Sequence, residues 1–583
     1  MIFSNASVAK MLREVAAAHS LKHGNLFQIR AYENAASAIE NLTSEIHDLW
    51  EEGKLDQIPG IGASLKDHLN ELFKTGQVQH WEIIKKGVAP ATFEFLEIAG
   101  VGPKTAEKLA GLGVNNLEDL KKKLKSGELV KKGFSAKIAQ NILGGLDQAG
   151  QKGNRMLLPY AAVQADRILN YLKKSPDILQ AHPLGSLRRM VATVGDLDFA
   201  VSSRNPKKVV EHFCKMPGIA RILDQGEYKA TVVLNSGIQA DLLVGKPQSY
   251  GALLQHFTGS KPHNIKLRTL AQRKGFSLSE YGVRSDKRKA TSDKLIQTET
   301  EEEFYKLLGM QVPPPEIREN SGEIEAALAG NLPQLVKSAD IKGDLHLHSS
   351  YPFPSPAHGP GVNSIAEIID KAIQLGYEFV GIADHPPGFT ALSKEEIIQE
   401  IQKRTNSIQR LKKRTESIRV LNGLEIDILA DGSLSVPDAA LKTLDYCIAG
   451  IHSGHKGSKE KITKRLLKAL ESPYVDIISH PTNRLLNERE SSDADWGAVF
   501  KAAAKNNKLL EINSYPNRLD LRDDLVRLAL SFGVKFIINT DAHEISQMEN
   551  MKFGVAVARR GWVGKKDIVN AWDWTSFAKW FKI

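Results

Sequence analysis

Two groups of residues in this chain have the types and spacing that chemistry needs. In Gly195-Asp196-Leu197-Asp198, two carboxylates stand at i and i+2, which in a strand points both side chains to one face. Carboxylates that close repel, and a divalent cation is the simplest neutraliser; hard oxygen donors favour magnesium or manganese. Just upstream, Gly185-Ser186-Leu187-Arg188-Arg189 offers a Gly-Ser turn and the guanidinium of Arg189, suited to a triphosphate because arginine matches phosphate oxygens bidentately. An isolated Asp-x-Asp is ordinarily a solvated strand edge, so the turn beside it gives the pattern its weight.

The second group is imidazole-rich. Eight of the 17 histidines lie between His346 and His543, most of them just after a predicted strand. In Gly343-Asp344-Leu345-His346-Leu347-His348 the two rings alternate onto one face, and further candidates follow in Asp384-His385, Glu425, Ile451-His452, His480-Pro481 and Asp541-Ala542-His543. Mixed imidazole and carboxylate donors suit zinc, manganese or iron, and a bridging carboxylate can join several ions. A lone histidine near a strand end is more often structural, and His455 is read that way.

Elements able to hold two such groups require several domains, as expected for 583 residues. No apolar run is long enough for a membrane span, and the early charges Lys10, Arg13 and Glu14 argue against a secretory signal, so a cytoplasmic location is expected. Two distant cysteines, Cys214 and Cys447, exclude a disulfide framework, and a net charge of +10 favours an anionic partner. Helical periodicity fills the first part of the chain. It is broken by two similar segments, Ile58-Pro59-Gly60-Ile61-Gly62 and Ala99-Gly100-Val101-Gly102-Pro103-Lys104, each followed by a helical pattern. Such glycine turns let backbone N–H groups at a helix start meet phosphate, and with Lys66, Lys104 and Lys108 close by they look like helix-hairpin-helix motifs that bind DNA backbone without reading sequence. Strand-like segments appear at Asp196 to Val201 and Thr231 to Leu234, prolines at 313–315 mark a break, and beyond 340 about seven apolar strands alternate with helices. That alternation predicts βα units with functional residues at strand C-terminal ends.

Over residues 1 to about 318 the chain resembles the nucleotidyltransferase superfamily and, within it, the family X DNA polymerases. The resemblance rests on the Gly-Ser and Asp-x-Asp motifs, on His256-Phe257-Thr258-Gly259-Ser260 with Asn264 and Arg268, and on both hairpins. It implies that Asp196 and Asp198 ligate both metal ions, and that Asp241 binds the catalytic metal and helps activate the primer 3′-hydroxyl. Arg155, Gly185, Ser186, Arg189 and Gly195 then bind the incoming triphosphate. Phe257 and Gly259 flank the sugar, Asn264 reaches the base edge, Arg268 touches the template, and Gly60, Gly62, Gly100, Gly102 and Lys104 meet DNA. Three positions depart from the family: Met190 replaces a usual glycine, His256 an aromatic residue of eukaryotic members, and His68 the Schiff-base lysine of the polymerase beta branch. Imidazole cannot form that imine, which argues against deoxyribose phosphate lyase activity.

Residues 338 to 583 resemble the PHP domain, named for polymerase and histidinol phosphatase, a distorted seven-stranded barrel with a trinuclear metal centre. The resemblance implies ligands His346, His348, His385, Glu425, His452, His480, Asp541 and His543, with Glu425 as bridge and His358 standing in for one further ligand. The expected fold is thus multidomain: helical helix-hairpin-helix units at 1–85 and 86–152, an α/β nucleotidyltransferase palm at 153–250, a small thumb at 251–318, a linker at 319–337 and a distorted (β/α)7 PHP barrel at 338–583. The expected protein is a monomeric, nucleoid-associated bacterial-type family X DNA polymerase with a PHP domain. It would fill short gaps in base excision repair using gapped or primer-template DNA and deoxynucleoside triphosphates. Magnesium or manganese would serve the polymerase site, and up to three zinc, manganese or iron ions a 3′-5′ exonuclease and abasic-site endonuclease. Two other readings are a PHP domain that only supports the polymerase, and a small-molecule phosphoesterase fused to a DNA-binding module.

Overall fold

The computed structural model describes residues 5–583 apart from 23, 41–45, 52, 59–60, 97–100, 133, 135–138, 140–141, 143–154, 286–294, 357, 389–390 and 414–416. Helices Asn5–Leu21, Leu26–Glu40, Ala63–Thr75 and Gln79–Lys85 bury one face each, so that Val8, Leu12, Val15, Ile39, Leu69 and Trp81 form a first small core. A second core, with Phe95, Ala106, Leu109 and Leu120, lies among helices Pro103–Gly111 and Leu117–Lys125 and the segment before them. No described helix is long and apolar enough to cross a membrane.

The central unit is built on strands β1 (Met156–Leu157), β2 (Gln180–Pro183), β3 (Thr193–Val194), β4 (Leu197–Ser202), β5 (Ile219–Gln225), β6 (Lys229–Leu234) and β7 (Gln239–Gly245). Five of them form a mixed sheet in the order β2-β4-β7-β6-β5, and β4 and β7 run parallel with Asp198 opposite Asp241. Period-two alternation sends Phe199 and Val201 into the core beneath helices Leu158–Leu172 and Pro206–Cys214, leaving Asp198 on the other face. The thumb follows, with helices Tyr250–Thr258, Lys261–Arg273 and Glu301–Leu307 and a small sheet of β8 (Phe276–Ser279), β9 (Gly282–Ser285) and β10 (Leu295–Ile296).

The C-terminal unit contains β11 (Gly343–Asp344), β12 (Phe379–Ile382), β13 (Arg419–Asp427), β14 (Tyr446–Gly450), β15 (Ile477–Ile478), β16 (Leu509–Asn513) and β17 (Phe536–Asn539). All pair in parallel in sequence order, and just beyond β11 and β17 a parallel bridge between Leu347 and Ala542 brings the two edges together. These are the βα units expected from the strand-helix alternation, closed into the seven-stranded barrel that the PHP resemblance implies. Its strands are almost wholly buried on both faces, which is why they read as continuous apolar runs. Helices Ile365–Gln374 and Lys394–Lys412 begin at capping boxes formed by Ser364 with Glu367 and Ser393 with Glu396.

Residues 319–337, expected to link the two halves, are packed. Helix Glu323–Leu328 buries Ile324 and Ala327 in the thumb core, and Leu335 bridges to Gly564 of the barrel unit. Prolines at 313–315 interrupt helical periodicity without preventing burial, because they remove donors but not apolar surface. One apolar core also runs from Leu158, Phe199 and Val244 of the central unit through Val336 to Leu424 and Phe536 of the barrel.

Candidate metal centres

Strands β4 and β7 carry the first centre. Asp196, Asp198 and Asp241 each offer a carboxylate oxygen within 4.8 Å of the others. Thr231 and Gln239 donate to the two oxygens of Asp241, Gln239 at 2.7 Å, which fixes that carboxylate. Burial, reinforced by Asp196 and Asp241 beside it and only partly offset by Lys229, pushes the Asp198 carboxyl up to about 7. Three hard oxygens in this state fit magnesium or manganese.

The Gly-Ser turn lies against these carboxylates. Gly185 has φ +56°, and a Cβ there would lie 2.8 Å from Asp198 Oδ2, so only glycine passes. Gly195 is the close approach for Arg155, whose Nη1 would meet a Cβ at 3.1 Å, while Arg155 Nε and Nη2 donate to the hydroxyl and carbonyl oxygens of Thr193 at 2.9 and 2.6 Å. Arg189 donates to Glu319 at 2.9 Å and to the Thr258 carbonyl at 2.6 Å. Met190, where the family usually has glycine, keeps the left-handed turn at φ +54°. Arg189, His256, Phe257, Gly259, Asn264 and Arg268 line a cleft of about 360 Å³. Within it Asn264 donates to the His256 carbonyl at 2.7 Å and accepts from Gln255 at 2.8 Å. Each end of that amide retains one further hydrogen-bonding valence.

Gly62 and Gly102 sit at the N-caps of their helices, and Lys104 is exposed on the second. Gly60 and Gly100 lie outside the described residues. His68 stacks on His80 with ring centres 5.0 Å apart, and its Nδ1 is enclosed without a hydrogen-bond partner.

The second centre lies where the barrel strands end. The structure brings together His346, His348, His358, His385, Glu425, His452, His480, Asp541 and His543 in overlapping groups whose donor atoms approach within 4.8 Å. Glu425 is central: Oε2 lies 3.0, 3.5 and 3.6 Å from ring nitrogens of His346, His385 and His348, and Oε1 lies 2.9 and 3.2 Å from those of His480 and His452. Burial opposes ionisation of Glu425, yet His346 and His452 hold its carboxyl well below the ordinary range. Burial likewise opposes charge on His452, but Glu425 and Asp427 push it up to about 9. His385, by contrast, is driven well below the ordinary imidazole value by burial and by His348, and His543 falls to about 4 for the same reasons. Enclosed nitrogens of His348, His385 and His480 have no hydrogen-bond partner in the protein. Orphaned imidazoles around shared carboxylates fit ions of the zinc, manganese and iron group. His480 and Asp541 also hold left-handed φ of +26° and +55°, strain of the kind concentrated at functional sites.

Sequence reasoning missed two carboxylates here. Asp427 lies 3.0 Å from His358 and 2.6 Å from His452 and joins them in one group. Its signal was available, since Glu425-Ile426-Asp427 repeats the i, i+2 carboxylate spacing of Asp196 and Asp198. Glu511, fully buried, lies 2.7 Å from His346 Nδ1 and orients that ring; the sequence marks it only as a lone carboxylate in an apolar strand and does not show its partner. Asp384 turns away from the centre, spending its carboxylate on Arg404 at 2.6 Å and on Ser349.

Comparison with known proteins agrees with this architecture. Residues 253–319 match the DNA polymerase beta thumb, and residues 344–515 match the PHP domain. Residues 3–78 match a helix-hairpin-helix domain and 93–147 a SAM-like helix-hairpin-helix tandem. The DNA polymerase/3′-5′ exonuclease PolX of Bacillus subtilis is 34% identical over 568 residues, covering 97% of each chain. The chain belongs to the PolX family. A probable phosphatase of Clostridium acetobutylicum is also similar, 29% identical over 209 residues, 34% of this chain and 78% of the relative. One from a Thermoanaerobacter species is 26% identical over 210 residues, with the same coverage.

Proposed function

We propose that this PolX-family protein is a DNA-templated DNA polymerase that fills short gaps in base excision repair and trims 3′ ends with its PHP domain. The observation that carries the polymerase reading is the convergence of Asp196, Asp198 and Asp241 on neighbouring parallel strands beside the Gly-Ser turn. Those three carboxylates would hold magnesium or manganese, which supplies charge neutralisation at the attacking and leaving oxygens of an in-line displacement. Asp241, clamped by Thr231 and Gln239, would help draw the proton from a primer 3′-hydroxyl. Ser186, Arg155 and Arg189 take the triphosphate oxygens, so the pyrophosphate leaves toward fixed donors. Phe257 and Gly259 flank the sugar and Asn264 offers its remaining valences to the base edge, while Arg268 and the two helix-hairpin-helix starts hold backbone phosphates. Asp198→Ala should abolish incorporation on gapped DNA with the fold intact, and substantial residual extension would refute the assignment.

In the PHP domain, His346, His348, His358, His385, Glu425, His452, His480, Asp541 and His543 would hold zinc, manganese or iron, whose Lewis acidity serves phosphodiester hydrolysis. Glu511 and Asp427 fix the rings of His346 and His452, and burial keeps His385 and His543 unprotonated and ready to donate. A second reading, a small-molecule phosphatase, draws on the similarity to probable phosphatases. Mononucleotide release from single-stranded DNA, set against phosphate release from histidinol phosphate, separates the two. Cleavage of a duplex at an abasic site, lost in Glu425→Ala, would extend the activity to endonuclease.

A further inference from the structure

Arg189 and Arg155, the two arginines read above as triphosphate donors, are both held from the barrel domain. Asn487, in the loop after His480, donates to the Arg155 carbonyl at 2.9 Å. Arg560, ending helix Met551–Arg560, donates through Nη1 to the Arg189 carbonyl at 2.9 Å and lies 3.0 Å from Glu319 Oε1. Arg189 Nε donates to that same Glu319 oxygen at 2.9 Å. One carboxylate oxygen is therefore shared between a guanidinium of the polymerase half and one of the nuclease half. Arg560 is anchored from behind by Asp523 at 2.6 Å, and its side chain is only 10% exposed. The apolar core continuous between palm and barrel gives this contact a rigid base.

We infer that Arg560 is a positioning residue of the polymerase site: it fixes the turn carrying Arg189 and, by sharing Glu319, keeps the Arg189 guanidinium from being neutralised before nucleotide arrives. With Arg560 present, its own charge balanced by Asp523, the Glu319 oxygen is divided between two guanidiniums, so Arg189 is only partly paired toward the triphosphate. Without it, Glu319 pairs with Arg189 alone, and an incoming triphosphate must compete with a full ion pair. This inference rests on the proposed role of Arg189 and uses nothing of the PHP metal centre.

The test uses the full chain in single-nucleotide gap filling at saturating DNA, with mononucleotide release from single-stranded DNA as the internal control. Arg560→Ala should raise the nucleotide KM about tenfold, equivalent to about 1.4 kcal/mol, with kcat and exonuclease rate each held to within about threefold. Adding Glu319→Gln to Arg560→Ala should return KM to within about threefold of wild type, a rescue that loss of packing would not give. An unchanged KM in Arg560→Ala, or a raised KM that Glu319→Gln does not relieve, overturns the inference. Should Arg560→Ala lose both activities together, Arg560→Lys decides. Lysine keeps the charge but has no Nε to stay anchored on Asp523 while its tip reaches Arg189 and Glu319, so KM must rise with exonuclease retained, and an unchanged KM sinks the idea. Arg189→Ala in parallel separates the two readings. No KM change there removes the site assignment and the inference with it, whereas a raised KM with Arg560→Ala silent removes the inference alone.

Discussion

Replacing Glu301 by glutamine should loosen the junction between palm and thumb. Its carboxylate joins Arg188 of the Gly-Ser turn, at 2.6 Å, to the fully buried Arg318, at 2.5 Å. Burial alone would raise the Glu301 carboxyl, but Arg318 and Arg188 overcome it and hold it at about 2, against an ordinary 4.5. At about 1.36 kcal/mol for each pH unit, that difference corresponds to about 3 kcal/mol at neutral pH. Breaking such a pair leaves buried guanidinium charge uncompensated, for which about 3–5 kcal/mol is usual, so the two routes to the magnitude agree. For a unit of this size the palm–thumb transition should fall by about 6–12 °C at pH 7. The sign follows from the depressed carboxyl: its stabilisation is complete above the ordinary 4.5 and drains away as pH falls toward 2. Since glutamine does not titrate, the gap between wild type and variant should narrow by about 1.4 kcal/mol between pH 7 and pH 3.5. Calorimetry or urea unfolding of metal-free protein at the two pH values measures both quantities. A loss under about 1 kcal/mol at pH 7, or a gap that stays constant on acidification, would refute the reasoning.

Glu425→Gln keeps the side-chain volume but removes the charge that five imidazoles face, so exonuclease should fall at least about a hundredfold while gap filling persists; assays of both activities on one preparation check this. His358→Ala should cost less, about tenfold in exonuclease rate, because Asp427 and His452 remain in its group, and equal loss to Glu425→Gln would give His358 a larger part. Chelation followed by zinc or manganese titration should restore exonuclease and raise the barrel's melting temperature, whereas Glu425→Gln should show little of that rise. For the polymerase centre, the Asp198 carboxyl at about 7 must lose its proton to take an ion, so manganese affinity measured calorimetrically should weaken as pH drops from 8 to 6.

The barrel was readable because each strand is buried on both faces, leaving an apolar run that stops where a histidine or carboxylate begins. Phe379 to Ala383 before Asp384-His385 is one example, and Tyr446 to Ile451 before His452 is another. Asp-x-Asp and Asp-x-His-x-His were readable because period two alone puts their side chains on one face. What escaped were partners acting across strands: Glu511 meets His346 from a strand 165 residues away, a pairing that barrel closure creates and local pattern cannot encode. Residues 319–337 escaped for a related reason. The prolines at 313–315 and 333 report on backbone donors, whereas the burial of Ile324 depends on thumb residues far earlier in the chain and the closeness of Glu319 to Arg560 on a helix contributed much later.

Barrel closure also sets an order of assembly. The Leu345 amide reaches the Asn539 side chain across 194 residues, so the first and final rim histidines become neighbours only after nearly the entire C-terminal unit has emerged from the ribosome. Donor groups made wholly from residues 358–480 come together earlier in synthesis than those that need Asp541 and His543, so the rim is completed at its seam last.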